Sequence, residues 1–270
     1  MSAERAPFPS DSYAELAAAE GGNWWFRSRN RLLIWVLQGK VDHFKDYLEV
    51  GCGTGFVLEG VRKAFPQARL GATEYYEEGL EFARKRIPDA RFVRMDAVQM
   101  REVAGYDVIG AFDVIEHIEQ DVAVLQNLAR AVRPGGSVVI TVPQHMWLWS
   151  TVDENACHVR RYTRKELLEK IGRTELIVQY VTSFVGLLLP LMWVARLRAR
   201  ASNYKSENEL KISKPLNFLL ETVMRMEFLL LKMGIRLPAG GSLLVVARKL
   251  ELNTHEFMAR EEGCDETHSI

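Results

Sequence analysis

The chain has little cysteine. Its 270 residues contain three, Cys52, Cys157 and Cys264, far apart and with no Cys-x-x-Cys pair. That argues against a disulfide framework and a cysteine-type zinc site, and it fits a reducing cytosol. An excess of one charge is also missing: Lys+Arg and Asp+Glu each number 35, so no global field points to nucleic acid as a partner. The first 19 residues lack the apolar core of a secretory signal. One stretch, Leu176 to Ala195, approaches bilayer length, but Gln179, Tyr180, Thr182, Ser183 and Pro190 interrupt it. Its first part reads as a strand, and the run from Phe184 to Ala195 is too short to span. The expected location is therefore cytoplasmic, with peripheral attachment at the inner membrane face left open.

What is present is an alternation of short apolar runs and amphipathic segments. Asp46–Val50, Ala68–Thr73, Arg91–Met95, Tyr106–Phe112 and Ser137–Val142 read as strands. Phe56–Ala64, Glu77–Arg86 and Gln120–Val132 read as helices between them. Strands separated by helices of this length predict right-handed βαβ units and a mostly parallel sheet covered on both faces. Tyr13–Val36 has helical spacing broken at Gly21-Gly22, with Trp24 and Trp25 reading as an N-terminal lid. After Pro143 comes a polar-aromatic loop, His145–Tyr162, then a helix over Lys165–Arg173 capped by Thr163 with Glu166. Ile177–Thr182 and Leu243–Ala247 are the last two strands. The roughly 60 residues between them form an insertion too long for a hairpin. It holds two apolar helical candidates, Phe184–Arg200 and Leu216–Met233. Residues 184–235 could dock on a membrane surface, pair with each other or form a dimer interface; the oligomeric state is not legible. Residues 1–12 and 251–270 read as disordered flanks of one domain over 13–250.

Leu48-Glu49-Val50-Gly51-Cys52-Gly53-Thr54-Gly55-Phe56 places a GxGxG turn between a strand and a helix. Gly51, Gly53 and Gly55 let the chain turn sharply and let a ligand approach backbone without Cβ atoms in the way. The helix start that follows offers free N–H groups to an anion. A dinucleotide fingerprint needs its third glycine one place later, where Phe56 stands. Glu74, at the end of the second strand, is placed to accept hydrogen bonds from ribose hydroxyls. Asp96 after the third strand can accept from an adenine amino group, with the Ala97 N–H facing the ring.

Together with Tyr106-Asp107-Val108, Val114-Ile115-Glu116-His117 and Leu128–Gly136, these motifs resemble class I S-adenosylmethionine-dependent methyltransferases. The resemblance covers roughly Trp24 to Arg173 and is nearest the ubiquinone and menaquinone biosynthesis branch. It implies a Rossmann-like seven-stranded sheet and S-adenosylmethionine as cofactor. It also implies cofactor contacts at Gly51, Glu74, Asp96 and Phe112, and at Arg31 for the cofactor carboxylate. His117, after the fourth strand, and His158, in the loop after the fifth, are the candidate proton-handling residues, since neutral imidazole is matched to pH 7. Arg160, Arg161 and Tyr162 suit an anionic acceptor. No metal is required in principle. The expectation is methyl transfer, to oxygen, on a small-molecule or lipid-linked acceptor of quinone, sugar or polyprenyl type. A nucleotide-dependent dehydrogenase or epimerase and a non-catalytic cofactor-binding scaffold are the rivals.

Overall fold

The computed structural model describes residues 10–101, 103–201 and 212–251. Seven strands form one sheet: β1 (Asp46–Val50), β2 (Arg69–Glu74), β3 (Arg91–Arg94), β4 (Tyr106–Phe112), β5 (Val132–Pro143), β6 (Leu176–Phe184) and β7 (Ser242–Lys249). Their order is β3-β2-β1-β4-β5-β7-β6. The pairs among β1 to β5 are parallel; β7 runs antiparallel to both β5 and β6. The expected mostly parallel, Rossmann-like α/β sheet is what the chain adopts.

Both faces of the sheet are covered, which is why its inner strands send apolar side chains to both sides. Tyr47 and Val108 point into a layer with Leu33 and Val36 of α2 (Trp24–Gly39), Leu58 of α3 (Phe56–Ala64) and Leu80 of α4 (Glu77–Arg86). Leu48, Val50, Ile109 and Ala111 point into the other, with Leu125 and Leu128 of α5 (Asp121–Ala131) and Leu167 of α7 (Arg164–Ile171). Parallel registers set Val50 beside both Thr73 and Ala111. The carboxyl ends of β1, β2 and β4 thus meet at one edge, where ligands of open α/β sheets lie.

Several boundaries differ from the sequence reading. Residues 1–9 and 252–270, most of the two flanks read as disordered, lie outside the described residues. The first helix, α1 (Ser10–Glu20), begins inside the N-terminal flank. Trp24-Trp25 belongs to a core helix, not a lid: Leu33 and Val36 of that helix are fully buried, and Trp25 stacks on Phe184. The element that covers the sheet edge is α1. Arg133–Gly136, at the end of the Leu128–Gly136 motif, forms an irregular start of β5, with a register slip opposite Tyr106 and Val108. The loop 145–162 contains a short helix, α6 (Thr151–Asn155), capped reciprocally by Ser150 and Asp153.

In the insertion, the helix expected from Phe184 begins only at Leu189, as α8 (Leu189–Ala201). The chain bends first: Phe184 still belongs to β6, and Val185 has φ +60°. Glu227, fully buried on α9 (Lys214–Lys232), fixes that bend by accepting the backbone N–H groups of Val185 and Leu187. α9 packs on α2, where Glu221 receives Arg27 and Arg31, and Phe228 meets Trp35 edge-on at 5.8 Å. Leu191, Trp193 and Leu197 of α8, and Leu216, Phe218 and Leu219 of α9, stay exposed. No helix among the described residues is long and apolar enough to cross a membrane.

Candidate functional site

A cavity of about 530 Å³ opens over the carboxyl ends of β1, β2 and β4. That is ample for a small-molecule ligand. Tyr13, Leu16 and Glu20 of α1 line it from above, and the carboxylate of Glu20 anchors this helix by accepting from the Thr54 hydroxyl at 2.6 Å and from Arg86 at 2.9 Å.

The glycine turn forms one wall. Gly51 and Cys52 both donate to the Thr73 carbonyl, at 2.8 and 3.0 Å, which folds the chain back on the end of β2. Gly51 has φ +70°, and a Cβ there would stand 2.5 Å from a methyl of Val114. Gly53, at φ +52°, is different: a Cβ would meet nothing within 4 Å, so its backbone borders open space in the cavity. Gly55 caps α3 in the left-handed conformation, tight against Ala83; it shapes the turn and is not among the residues lining the cavity.

Glu74, buried at the tip of β2, lines the cavity and binds its own loop. It accepts from Gly53 N–H at 2.9 Å, Tyr75 N–H at 2.8 Å and Tyr76 N–H at 3.2 Å. A carboxylate has about four acceptor positions, so roughly one remains for a ligand. Burial pushes its pKa up, and the three amides oppose that. Asp96 lines the cavity while one oxygen caps the following turn through Val98 N–H at 2.9 Å; Ala97 and Phe112 border the same space.

Sequence reasoning missed two groups here. Arg29 faces the cavity, pairs with Asp113, and keeps its Nε buried without a partner. Glu49, 3% exposed inside β1, lines the cavity floor, and its pKa is pushed up to about 8 by burial. An acidic residue inside an otherwise apolar strand was the available signal for Glu49. For Arg29 the sequence offers only a choice among three arginines on one helix. Arg31, the expected carboxylate contact, is not among the cavity-lining residues. It points to the opposite side of α2 and binds Glu221 at 2.9 Å.

At the far end, His117 and His158 both line the cavity, with ring centroids 4.7 Å apart. His117 Nδ1 lies 3.3 Å from the Cys157 carbonyl, and His158 Nδ1 lies 2.9 Å from Asp153. The residues that follow do not form the anion site expected of them. Arg161, 5% exposed, donates to Asp153 at 2.7 Å and to the Gln144 carbonyl. Arg160 binds Asp121 and Glu119, and the Tyr162 hydroxyl donates to Asp121 at 2.7 Å. The buried carboxylates of Asp121 and Asp153, with exposed Glu119 and the Gln144 carbonyl, satisfy these donors, which therefore hold the loop that presents His158.

A protein-family model described as a methyltransferase domain matches residues 48–138. The chain is similar to trans-aconitate 2-methyltransferase of Rhodopseudomonas palustris, 28% identical over 111 residues, 41% of this chain and 43% of the relative. It is also similar to malonyl-acyl-carrier-protein O-methyltransferase of Halalkalibacterium halodurans, 29% identical over 133 residues, 45% of this chain and 49% of that one. The chain therefore spans less than half the length of these two relatives, and neither is named for a quinone. Among solved structures, phosphoethanolamine N-methyltransferase 2 of Haemonchus contortus in complex with S-adenosyl-L-methionine shares the fold. Its TM-score is 0.61 at 16% identity, over 92% of this chain and 59% of that one. The glycine turn and the strand-end Glu74 both lie inside residues 48–138, the segment that matches a methyltransferase domain, and the sheet that carries them has the fold of a methyltransferase solved with S-adenosyl-L-methionine.

Proposed function

We propose that the protein binds S-adenosylmethionine in this cavity and transfers its methyl group to oxygen on a small-molecule acceptor. The observation that carries the reading is the continuous wall from Glu74, past the open backbone at Gly53, to the unpartnered Nε of Arg29. A ligand with a ribose at one end and an amino-acid group at the other fits that sequence of partners. Glu74 retains an acceptor for a ribose hydroxyl, and Asp96 and Ala97 stand where an adenine edge would lie. Arg29 and the start of α3 suit the carboxylate; Glu49 suits the ammonium.

When bound, the cofactor supplies a methyl group on a positively charged sulfur, so the leaving group needs no activation. The protein's own residues must exclude water, orient the acceptor and handle its proton. α1 closes the cavity over Tyr13 and Glu20. His117 and His158 face the space left for the acceptor, where an imidazole can take a hydroxyl proton. The relative named as an O-methyltransferase supports oxygen as the atom that receives the methyl.

Calorimetric titration of the full chain with S-adenosylhomocysteine tests the cofactor assignment. One site with micromolar affinity is the expected result; folded protein that takes up NAD and not this ligand rules the reading out. Lipid-linked acceptors fall within the proposed class, because Trp193, Leu197, Phe218 and Leu219 leave an apolar surface beside the fold. Co-sedimentation with anionic liposomes should fall when these four are changed to serine. Unchanged partition would remove the lipid-linked class.

A further inference from the structure

We propose that Glu116, His117 and His158 hold a divalent transition-metal ion at the acceptor end of the cavity. One ligand atom from each of the three lies within 4.8 Å of the others. A first-row ion bound at about 2.0–2.2 Å from each needs separations of roughly 3–3.5 Å. The side chains must therefore close by up to about 1.8 Å, within the reach of small χ rotations.

Glu116 is the independent sign of a missing ligand. It is fully buried, and neither carboxylate oxygen has a hydrogen-bond partner. A buried polar group in that condition is rare, because leaving it unsatisfied is costly. The cations near enough to act on it are both occupied elsewhere: Arg29 binds Asp113, and Arg161 binds Asp153. Its other charged neighbour, Asp113, repels it. Burial and that repulsion both drive the Glu116 pKa upward. A protonated carboxyl would still bury an O–H and a carbonyl with no neighbour to bond to beyond the residue's own backbone N–H. A cation between Glu116 and the two imidazoles satisfies the oxygens at once.

The imidazoles are prepared for the same ion. Ligating histidines commonly donate their other ring N–H to a carboxylate or a backbone carbonyl. His158 has Asp153 at Nδ1, and His117 has the Cys157 carbonyl at Nδ1. Both contacts select the tautomer whose lone pair is on Nε2. Asp153 is itself held by Arg161 and by the Ser150 N–H. Two imidazoles and one carboxylate favour zinc, cobalt, manganese or iron over magnesium or calcium, which prefer all-oxygen sets. Three protein ligands leave positions open towards the cavity, the arrangement of a catalytic rather than a structural site. With the ion bound the two imidazoles no longer accept that proton; an acceptor hydroxyl on the ion would instead lose it to water at a lower pH than it does free. The inference rests on the methyltransferase reading for the ion's purpose, not for its binding.

The test uses untagged full-length chain, stripped with a chelator. It is titrated with Zn²⁺ by calorimetry and with Co²⁺ by visible absorption. One ion per chain is expected, with Co²⁺ giving ligand-field bands of a nitrogen–oxygen site. Glu116→Gln and His158→Asn should each weaken binding about 100-fold or more, and Asp153→Asn about 10- to 100-fold. Glu116→Gln removes a buried unpaired carboxylate, so metal-free E116Q should melt no lower than the parent. His158→Asn provides a second variant should E116Q misfold. Folded chain that takes up neither ion at millimolar concentration overturns the proposal, as does uptake unchanged in both variants. S-adenosylhomocysteine affinity, measured on the same samples, reports separately on the cofactor site.

Discussion

Changing Glu74 to alanine should weaken S-adenosylhomocysteine binding by about 100-fold. The carboxylate has roughly one acceptor position left for the ribose, since Gly53, Tyr75 and Tyr76 occupy the others. A hydrogen bond to a charged group contributes about 1.5–3 kcal/mol, and each 1.4 kcal/mol is about tenfold in affinity. The lost bond alone thus accounts for roughly 10- to 100-fold. The rest comes from the glycine turn: without Glu74, the Gly53 N–H loses its acceptor and the wall of the cavity is no longer fixed. Glu74→Gln should be nearly as damaging. An amide has one oxygen for three backbone donors, and its NH₂ would face at least one of them. Calorimetry on both variants, with circular dichroism to confirm folding, decides the matter. Affinity within threefold of the parent in E74A would remove Glu74 from the cofactor site.

The fold was readable because its parallel strands are buried on both faces and so contain uninterrupted apolar runs: Val108–Phe112 and Val138–Ile140 are examples. The glycine turn and Glu74 were readable for a related reason. Positive φ at Gly51, Gly53 and Gly55 restricts which residues can stand there, and an acid immediately after a strand is conspicuous. The failures have one cause, long-range pairing. Arg160, Arg161 and Tyr162 look like an anion site until Asp121 and Asp153, distant in sequence or hidden in a short helix, are seen to satisfy them. Arg29 and Arg31 differ by about 200° around one helix, and only the packing of α9 on α2 decides which of them faces the ligand. Trp24-Trp25 read as a lid because the residues that bury it, Phe184 and Asn217, lie more than 150 positions away. The partnerless oxygens of Glu116 have no sequence signature at all.

Glu49 makes the second large effect. Its pKa is pushed up to about 8 by burial, although Arg29 pulls it down. In the unfolded chain the same carboxyl titrates near 4.3. Between these values the folded state holds a proton that the unfolded state has released. Stability therefore falls as pH rises from about 4.5 to about 8, and the loss is complete above that. At about 1.4 kcal/mol per pH unit, the cost at pH 8 is at most about 5 kcal/mol. Glu49→Gln keeps the shape and cannot ionise. It should melt with the parent near pH 4.5 and higher at pH 8, by on the order of 10 °C. The slope will not vanish, since burial raises Glu74 and Glu227 in the same direction. Binding should run the other way. An ammonium group set against Glu49 favours its ionised form, so cofactor uptake at pH 7 should release close to one proton, about as many as Glu49 holds at that pH. Titration in two buffers of different ionisation enthalpy measures this directly. The parent should show the release, and E49Q should lose it together with about tenfold in affinity. Equal proton counts in the two proteins would mean that the cofactor's ammonium lies elsewhere, and that Glu49 is only a buried acid in the floor of the cavity.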